Sequence, residues 1–202
     1  MFLDLPYNFH WIVPREAARS AQAYAGLLSR FLAAHGITAV INLRGSNPAH
    51  LWWKYETRVC RRLGVVHRDV KLNSRQLPSR AMLVDLVDAF DSLPRPLLIK
   101  CSGGQDRTAF AAAAFILHRR GWRALVEAEQ QFAGSPYLHW PQPQQRWLKL
   151  FPAFAGESAA GLPFRAWLEN SYSAAEFGQW LNEHGHAGSF KGLYGVSAGQ
   201  CS

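Results

Sequence analysis

The sequence has few cysteines and no long apolar run. Its 202 residues include only Cys60, Cys101 and Cys201, which are too few for a disulfide framework and favour a reducing compartment. The longest apolar run, residues 109–117, is too short to span a bilayer, so we expect no integral membrane segment. Residues 1–6 lack a basic flank and contain an acid and a proline, which argues against a signal peptide. We therefore expect a cytoplasmic protein.

Acidic residues are also scarce. The chain has 14 of them against 22 basic residues, of which 17 are arginine, and its formal net charge is +8. A basic surface attracts anions such as phosphorylated proteins, lipid head groups and nucleic acid. No basic run is interleaved with aromatic residues, so nucleic acid is not among the expected partners. Hydrophobic residues make up 49% of the chain, which predicts a globular protein with a sizeable core.

One loop combines a cysteine, two adjacent glycines and an arginine. It runs from Cys101 to Thr108 with the sequence Cys-Ser-Gly-Gly-Gln-Asp-Arg-Thr. The apolar run at residues 96–99 predicts a buried strand before it, and the alanine-rich residues 109–118 predict a helix after it. Backbone N–H groups and the helix dipole converge between a strand and a helix N-terminus, and they can bind an anion there. The pattern therefore predicts a phosphate-binding loop.

The residue types in this loop suit phosphoryl transfer. The thiolate of Cys101 is the candidate nucleophile, because the loop amides, the helix N-terminus and a guanidinium would favour it over the thiol. Arg107 offers a planar pair of donors that matches two phosphate oxygens. Thr108 can hydrogen-bond the Cys101 sulfur if the loop closes. We predict that the phosphate oxygens are bound by Ser102, Gly103, Gly104, Gln105, Asp106 and Arg107.

The loop resembles the Cys-x5-Arg loop of protein tyrosine and dual-specificity phosphatases. Its Asp-Arg-Thr ending is similar to that of bacterial tyrosine phosphatase-like enzymes and of the lipid-directed myotubularin type. Residues 36–44, Gly-Ile-Thr-Ala-Val-Ile-Asn-Leu-Arg, resemble an early strand of these enzymes, and residues 19–22, Arg-Ser-Ala-Gln, resemble the segment before their first helix. The resemblance covers about residues 8–150.

This resemblance implies a phosphatase that needs no metal ion and no cofactor. It would hydrolyse phosphate monoesters through a cysteinyl-phosphate intermediate. The substrates implied are proteins phosphorylated on tyrosine, serine or threonine, or else inositol phosphates and phosphoinositides. Three positions depart from the family pattern: Lys100 replaces the usual histidine, Ala109 replaces a glycine, and Gln105 stands where many lipid-directed members have lysine. The last departure argues against highly charged inositol lipids.

Two aspartates compete for the role of the general acid that protonates the leaving oxygen. Asp69 ends the strand-like residues 65–70, about thirty residues before the cysteine, which resembles the position of the acid in many family members. Asp106 lies inside the loop, and the matching aspartate is the proposed acid in myotubularin-like and some bacterial enzymes. We slightly favour Asp106, because its proximity does not depend on the placement of a distant loop.

Periodicity also predicts the architecture. It predicts helices at residues 20–35, 51–63, 79–92, 109–118, 123–132, 142–154, 163–172 and 174–184, and strands at residues 37–43, 65–70 and 97–100. This alternation indicates an α/β tyrosine phosphatase-like sandwich, in which helices flank a central, mostly parallel sheet and the site lies at the carboxyl ends of the strands. We expect a phosphatase domain at residues 1–154. A helical C-terminal extension, residues 155–202, would begin with a linker at residues 155–161 and end in a frayed tail from residue 187.

Several residues near the expected site allow two interpretations. Arg44 is a second substrate contact or a solvent-facing arginine at a strand end. Trp52 and Trp53 belong to an aromatic cluster that grips a substrate or packs a helix on the sheet. Cys60 is an ordinary helix cysteine or a partner for a protective disulfide with Cys101.

Two other functions compete with the phosphatase. A rhodanese-type sulfurtransferase also has a cysteine in an anion-binding loop, but the Arg-Thr pair and the Asn-Leu-Arg strand argue against it. A catalytically inactive phosphate-binding module is the third alternative. The presence of both Cys101 and Arg107 argues against that one.

Overall fold

The computed structural model describes residues 4–24 and 26–195, and it contains one five-stranded sheet. The strands are β1 (His10–Val13), β2 (Ala17–Ser20), β3 (Ala39–Asn42), β4 (Val66–Asp69) and β5 (Leu97–Lys100). Their order in the sheet is β1-β2-β5-β3-β4, with β1 and β2 antiparallel and every other pair parallel. The predicted α/β fold with a mostly parallel sheet is confirmed.

Helices cover both faces of this sheet. They are α1 (Leu28–Ala34), α2 (Leu51–Leu63), α3 (Arg80–Ser92), α4 (Asp106–Arg120), α5 (Leu125–Gln130), α6 (Trp147–Ser158), α7 (Phe164–Asn170) and α8 (Ala174–Glu183). The side chains of α1 and α2 form one hydrophobic cluster with the sheet, and those of α3 to α8 form a second, larger cluster. No helix in the described ranges combines the length and the apolarity needed to cross a membrane.

The alternation of side chains along β5 decides what lies on each face. Leu97 and Ile99 belong to the larger cluster with α4, whereas Leu98 belongs to the cluster with α1 and α2. Cys101 follows the first set and lies in the larger cluster. Lys100 follows the second set, so two consecutive residues that both bear on the chemistry lie on opposite faces of the sheet.

Local signals set several helix ends correctly. Gly64 ends α2 in the left-handed conformation, with φ +68°, and the Ser79 side chain accepts a hydrogen bond from the Met82 N–H at the start of α3. The predicted helix at residues 20–35 is wrong in its first third, because Ser20 ends β2 and α1 begins only at Leu28. The hairpin of β1 and β2 was not predicted.

The C-terminal helices share the larger core. The predicted linker at residues 155–161 is wrong, because α6 continues to Ser158 and buries Ala155. Phe154, Trp167 and Phe177 pack in one aromatic cluster, with ring centroids 4.7 Å apart for Phe154 and Phe177 and 6.0 Å apart for Phe154 and Trp167. These large apolar side chains keep α7 and α8 on the sheet because their burial stabilises the packed arrangement.

The expected fraying of the tail is wrong for its described part. Leu193 forms a β-bridge with Leu77, and the Tyr194 N–H donates to the Leu77 carbonyl oxygen at 3.0 Å. The Lys191 N–H donates to the carbonyl oxygen of Arg75 at 2.7 Å. Residues 187–195 therefore support the loop after β4, and residues 196–202, with Cys201, lie outside the described residues.

Candidate active site

Cys101 lies at the carboxyl end of β5, directly before the loop that leads into α4. Its side chain is buried, with 3% of the residue exposed. The helix begins at Asp106, so the loop itself is only four residues long, from Ser102 to Gln105. The strand, loop and helix follow one another as predicted. The N-terminus of a fifteen-residue helix therefore points its free N–H groups toward the end of the strand that carries the cysteine.

Gly104 is the residue that lets the loop turn. Its φ is +65°, and a Cβ atom at this position would lie 2.5 Å from the Ala21 nitrogen and 2.6 Å from the Ser20 carbonyl carbon. Both contacts are to backbone, which cannot rotate away. The conformation and the space both require glycine here. Gly103 has no such restriction, since the nearest atoms belong to the side chain of Gln105 at 3.8 Å.

Arg19 holds the loop from behind, a role that the sequence did not reveal. Its guanidinium donates to the carbonyl oxygens of Gly104 at 3.2 Å and of Gln131 at 2.8 Å, and it lies over the Tyr137 ring at 4.2 Å. Asn8 donates to the same Gly104 oxygen at 3.2 Å. Arg19 is fully buried, and burial lowers its pKa from 12.5 to about 10, so it stays charged at neutral pH. The signal in the sequence was an arginine at the end of an otherwise small, apolar run.

A buried polar network lies on the other face of β5. The Lys100 Nζ lies 2.6 Å from Glu56 Oε2 and 2.6 Å from Gln22 Oε1, and Gln22 Nε2 donates to Glu56 Oε2 at 2.5 Å. His67 Nε2 lies 2.8 Å from Glu56 Oε1. The backbone N–H of Gln22 donates to the Ser102 carbonyl oxygen at 3.1 Å. The network thus connects α2 and β4 to both ends of the catalytic strand and loop.

Ionisation in this network is governed by burial and by pairing. Burial lowers the pKa of Lys100, and the charge of Glu56 opposes that effect without cancelling it. Burial acts against ionisation of Glu56 as well. The hydrogen bond from His67 and the charge of Lys100 outweigh it, so the pKa of Glu56 lies below its ordinary value. Lys100 is therefore a buried partner of Glu56 rather than a surface residue at a strand end.

Arg107 and Thr108 begin α4 beside the loop. The Arg107 guanidinium is half-buried and donates to the Ser102 hydroxyl oxygen at 3.2 Å. The Thr108 hydroxyl is buried and has no hydrogen-bond partner among the described residues. The predicted hydrogen bond between Thr108 and the Cys101 sulfur is therefore not formed in this structure.

The two candidate acids have different surroundings. Asp106 is the first residue of α4, and its carboxylate is one quarter exposed. Gln145 Nε2 donates to Asp106 Oδ2 at 3.0 Å, while the buried His139 Nε2 lies 3.3 Å from Oδ1 without hydrogen-bond geometry. Neither Gln145 nor His139 was singled out by the sequence, because both lie in the irregular segment before α6.

Asp69 is committed to holding neighbouring elements together. Its Oδ1 accepts from Asn42 Nδ2 at 2.6 Å, and its Oδ2 accepts from the Trp53 indole N–H at 2.9 Å. It ends β4, which is two strands away from β5 in the sheet, or about 10 Å at the usual strand spacing. Trp53 therefore ties α2 to the sheet.

Arg44 lies over Trp52, with its guanidinium carbon 3.5 Å from the ring centroid. It also borders a pocket of about 320 Å³ that Arg107 lines from the loop side. The interpretation of Arg44 as a purely solvent-facing residue is therefore wrong: the residue is half-buried and shares a concave surface with the loop arginine.

The two described cysteines lie in different environments. Cys60 is fully buried in the cluster of α1 and α2, whereas Cys101 lies in the cluster on the opposite face of the sheet. Both are free thiols. Burial raises the pKa of Cys60 to about 12, so it stays protonated and is a poor nucleophile at neutral pH. The alternative of a disulfide between them is wrong for this structure.

The fold is that of cysteine-based tyrosine and dual-specificity phosphatases. The structure of TpbA from P. aeruginosa superposes with a TM-score of 0.61 at 16% identity, covering 83% of this chain and 94% of that one. PTPMT1 in complex with PI(5)P has a TM-score of 0.52 at 18% identity, covering 72% and 95%. Tk-PTP has a TM-score of 0.52 at 20% identity, covering 74% and 97%. No protein-family model matches the chain, and no curated protein matches it in sequence.

Proposed function

We propose that this protein is a metal-independent phosphatase that hydrolyses phosphate monoesters through a cysteinyl-phosphate intermediate. The observation that carries the proposal is the position of Cys101 at the end of a buried strand, facing the start of α4 and followed at the sixth position by Arg107. The similarity of the fold to cysteine-based phosphatases supports the same reaction class. Its substrates are phosphorylated proteins, or inositol phosphates and phosphoinositides.

The reaction has two steps. In the first, the Cys101 thiolate attacks phosphorus, a P–S bond forms, and the P–O bond to the leaving group breaks with its electron pair on that oxygen. An aspartic acid gives its proton to the leaving oxygen. In the second step, water attacks phosphorus, the P–S bond breaks, and the thiolate and inorganic phosphate are released. Loop amides and Arg107 stabilise the charge on the equatorial oxygens in both steps.

We assign the general acid to Asp106 rather than to Asp69. Asp106 adjoins Arg107 at the mouth of the loop, and Gln145 fixes its orientation. Both carboxylate oxygens of Asp69 accept hydrogen bonds that join β3, β4 and α2. Transfer of a proton from Asp69 would require that these bonds break, whereas Asp106 keeps one oxygen free of any hydrogen bond of good geometry.

Hydrolysis of an aryl phosphate without added metal tests the reaction. We expect turnover by the native protein and none by Cys101→Ser, because a serine hydroxyl is not ionised at neutral pH. Cys60→Ala is the matched control and keeps its activity, since Cys60 lies on the other face of the sheet. Mass spectrometry of the acid-quenched native enzyme should show a phosphate adduct on Cys101. Absence of turnover by the native protein with its thiols reduced contradicts the proposal, and formation of a persulfide from thiosulfate would then favour the sulfurtransferase.

The identity of the acid is tested with two leaving groups. We expect Asp106→Asn to lower kcat for an alkyl phosphate by about 100-fold or more, and to lower it much less for an aryl phosphate that leaves without a proton. Asp69→Asn should lower both rates by a similar, smaller factor, as expected for a loss of packing between β3, β4 and α2. If the dependence on the leaving group follows Asp69 instead, the assignment is reversed.

A further inference from the structure

A basic pocket adjoins the phosphate loop. Four cationic side chains line it, contributed by three separate segments of the chain: Arg44, Lys71, Arg75 and Arg107. No acidic residue lines it, and none of the four has a carboxylate partner within the described part of the chain. Only Leu72 among the lining residues is apolar.

The backbone brings the first two of these cations together. Arg44 forms an antiparallel bridge with Lys71, so the chain after β3 lies against the chain after β4. Gly45 allows this approach. Its φ is +72°, and a Cβ atom there would lie only 3.0 Å from the Cβ of Lys71. Two positive charges are therefore held next to each other by the backbone itself, at the same edge of the sheet as the phosphate loop.

Arg44 is also the residue of this group whose charge is least satisfied. Its guanidinium lies flat on the Trp52 ring at 3.5 Å, and its Nη1 atom is buried without a hydrogen-bond partner in the described chain. A buried N–H of a cation without an acceptor is costly, and an anionic ligand is the natural acceptor for a planar guanidinium. The stacked ring fixes the guanidinium plane in advance, which lowers the entropic cost of binding such a ligand.

We propose that Arg44, Lys71 and Arg75 form a second anion subsite beside the phosphate loop, and that the substrate is a small polyol carrying two neighbouring phosphate groups. The inference rests on the proposed function, because the loop with Cys101 and Arg107 takes the phosphate that is hydrolysed. The second phosphate binds to Arg44, Lys71 and Arg75 and is not cleaved.

The lining of the pocket favours a polyol over a phosphotyrosine side chain. An aromatic ring needs apolar walls, and the pocket offers only the largely buried Leu72. Its volume of about 320 Å³ is at the small end for a ligand site, which suits a phosphorylated sugar-like ring. The same head group occurs free or attached to a lipid, and the pocket chemistry is common to both.

The test compares an inositol bisphosphate with neighbouring phosphates and an inositol monophosphate as substrates. For the native enzyme we expect a higher kcat/KM with the bisphosphate. Arg44→Ala, and separately the double variant Lys71→Ala/Arg75→Ala, should each lower the bisphosphate-to-monophosphate ratio of kcat/KM by about 10- to 100-fold. Both residues of the double variant are exposed, so this variant keeps the test valid if Arg44→Ala fails to fold. Arg30→Ala on α1 is the matched control, because Arg30 is exposed and lies outside the pocket.

Binding to the Cys101→Ser protein separates the two proposals. By calorimetry it should bind the bisphosphate more tightly than inorganic phosphate, and Arg44→Ala in that background should remove the difference. If the native protein shows no turnover but this difference persists, the subsite stands and the phosphatase proposal fails. If an aryl phosphate is hydrolysed but the ratio and the binding difference do not depend on the three cations, the subsite is overturned.

A third comparison identifies the source of the head group. The native enzyme is offered the soluble bisphosphate and vesicles that contain a phosphatidylinositol bisphosphate at the same total concentration. Preference for either one supports the subsite and assigns its ligand as free or lipid-attached. Preference for an acidic phosphopeptide over both contradicts the polyol assignment.

Discussion

Replacement of Lys100 by methionine is expected to lower the free energy of unfolding by about 3 kcal/mol. Lys100 and Glu56 are 2% and 1% exposed, with Nζ and Oε2 2.6 Å apart. Removal of the ammonium group leaves the Glu56 carboxylate buried with His67 and Gln22 as its remaining partners. The loss is at the lower end of the range for a broken buried ion pair, because His67 still contacts Oε1.

Urea denaturation of three variants measures this effect. Lys149→Met is the matched control, because Lys149 is exposed on α6, and it should change the free energy of unfolding by less than about 0.5 kcal/mol. The double variant Lys100→Met/Glu56→Leu should regain much of the lost stability, since two apolar side chains can replace a buried ion pair at little cost. A single variant as stable as the Lys149 control would show that the pair contributes nothing.

The same network gives a pH dependence. The pKa of Glu56 is lowered by folding, so its contribution to stability is fully present above the ordinary value of 4.5 and is lost as the pH falls through the lowered value. Because the charge of Lys100 contributes to the lowering, the stability difference between the native protein and Lys100→Met should narrow as the solution is acidified below pH 4.5. A difference that stays constant down to acid unfolding would contradict this origin.

Gly104→Ala is expected to damage both stability and catalysis. The new methyl group would lie 2.5 Å from the Ala21 nitrogen, and a residue with a Cβ atom would have to keep φ at +65°. We expect a loss of about 2–4 kcal/mol in the free energy of unfolding. Because Arg19 and Asn8 both bind the Gly104 carbonyl oxygen, the loop cannot shift without losing them, and kcat/KM for an aryl phosphate should fall by about 100-fold or more.

The neighbouring glycine is the matched control for stability. A Cβ atom at Gly103 would have only the flexible Gln105 side chain nearby, at 3.8 Å. Gly103→Ala should therefore change the free energy of unfolding by less than about 1 kcal/mol. Equal destabilisation by the two substitutions would mean that glycine is needed throughout the loop for another reason than the approach to Ala21.

The sequence by itself determined the local structure around the nucleophile. The apolar run before Cys101, the glycine pair and the alanine-rich stretch predicted a strand, a loop and a helix, and the structure contains them at those positions. Gly64 and Ser79 likewise marked helix ends correctly. These features depend on contacts among residues close together in the chain, so their residue types carry the information directly.

Only the tertiary structure decided the surroundings of the loop. Arg19 reaches Gln131 across 112 positions of sequence, and Lys100 reaches Gln22 across 78, so neither pairing has a local signal. Whether Lys100 faces Cys101 or α2 depends on the alternation of side chains along β5, which is known only once the strand is in the sheet. Residues 155–161 were predicted as a linker because small residues are compatible with loops, but burial against the aromatic cluster makes part of this segment helical. The basic pocket has the same origin: its cations come from chain segments that meet only because β3, β4 and β5 are neighbours in the sheet.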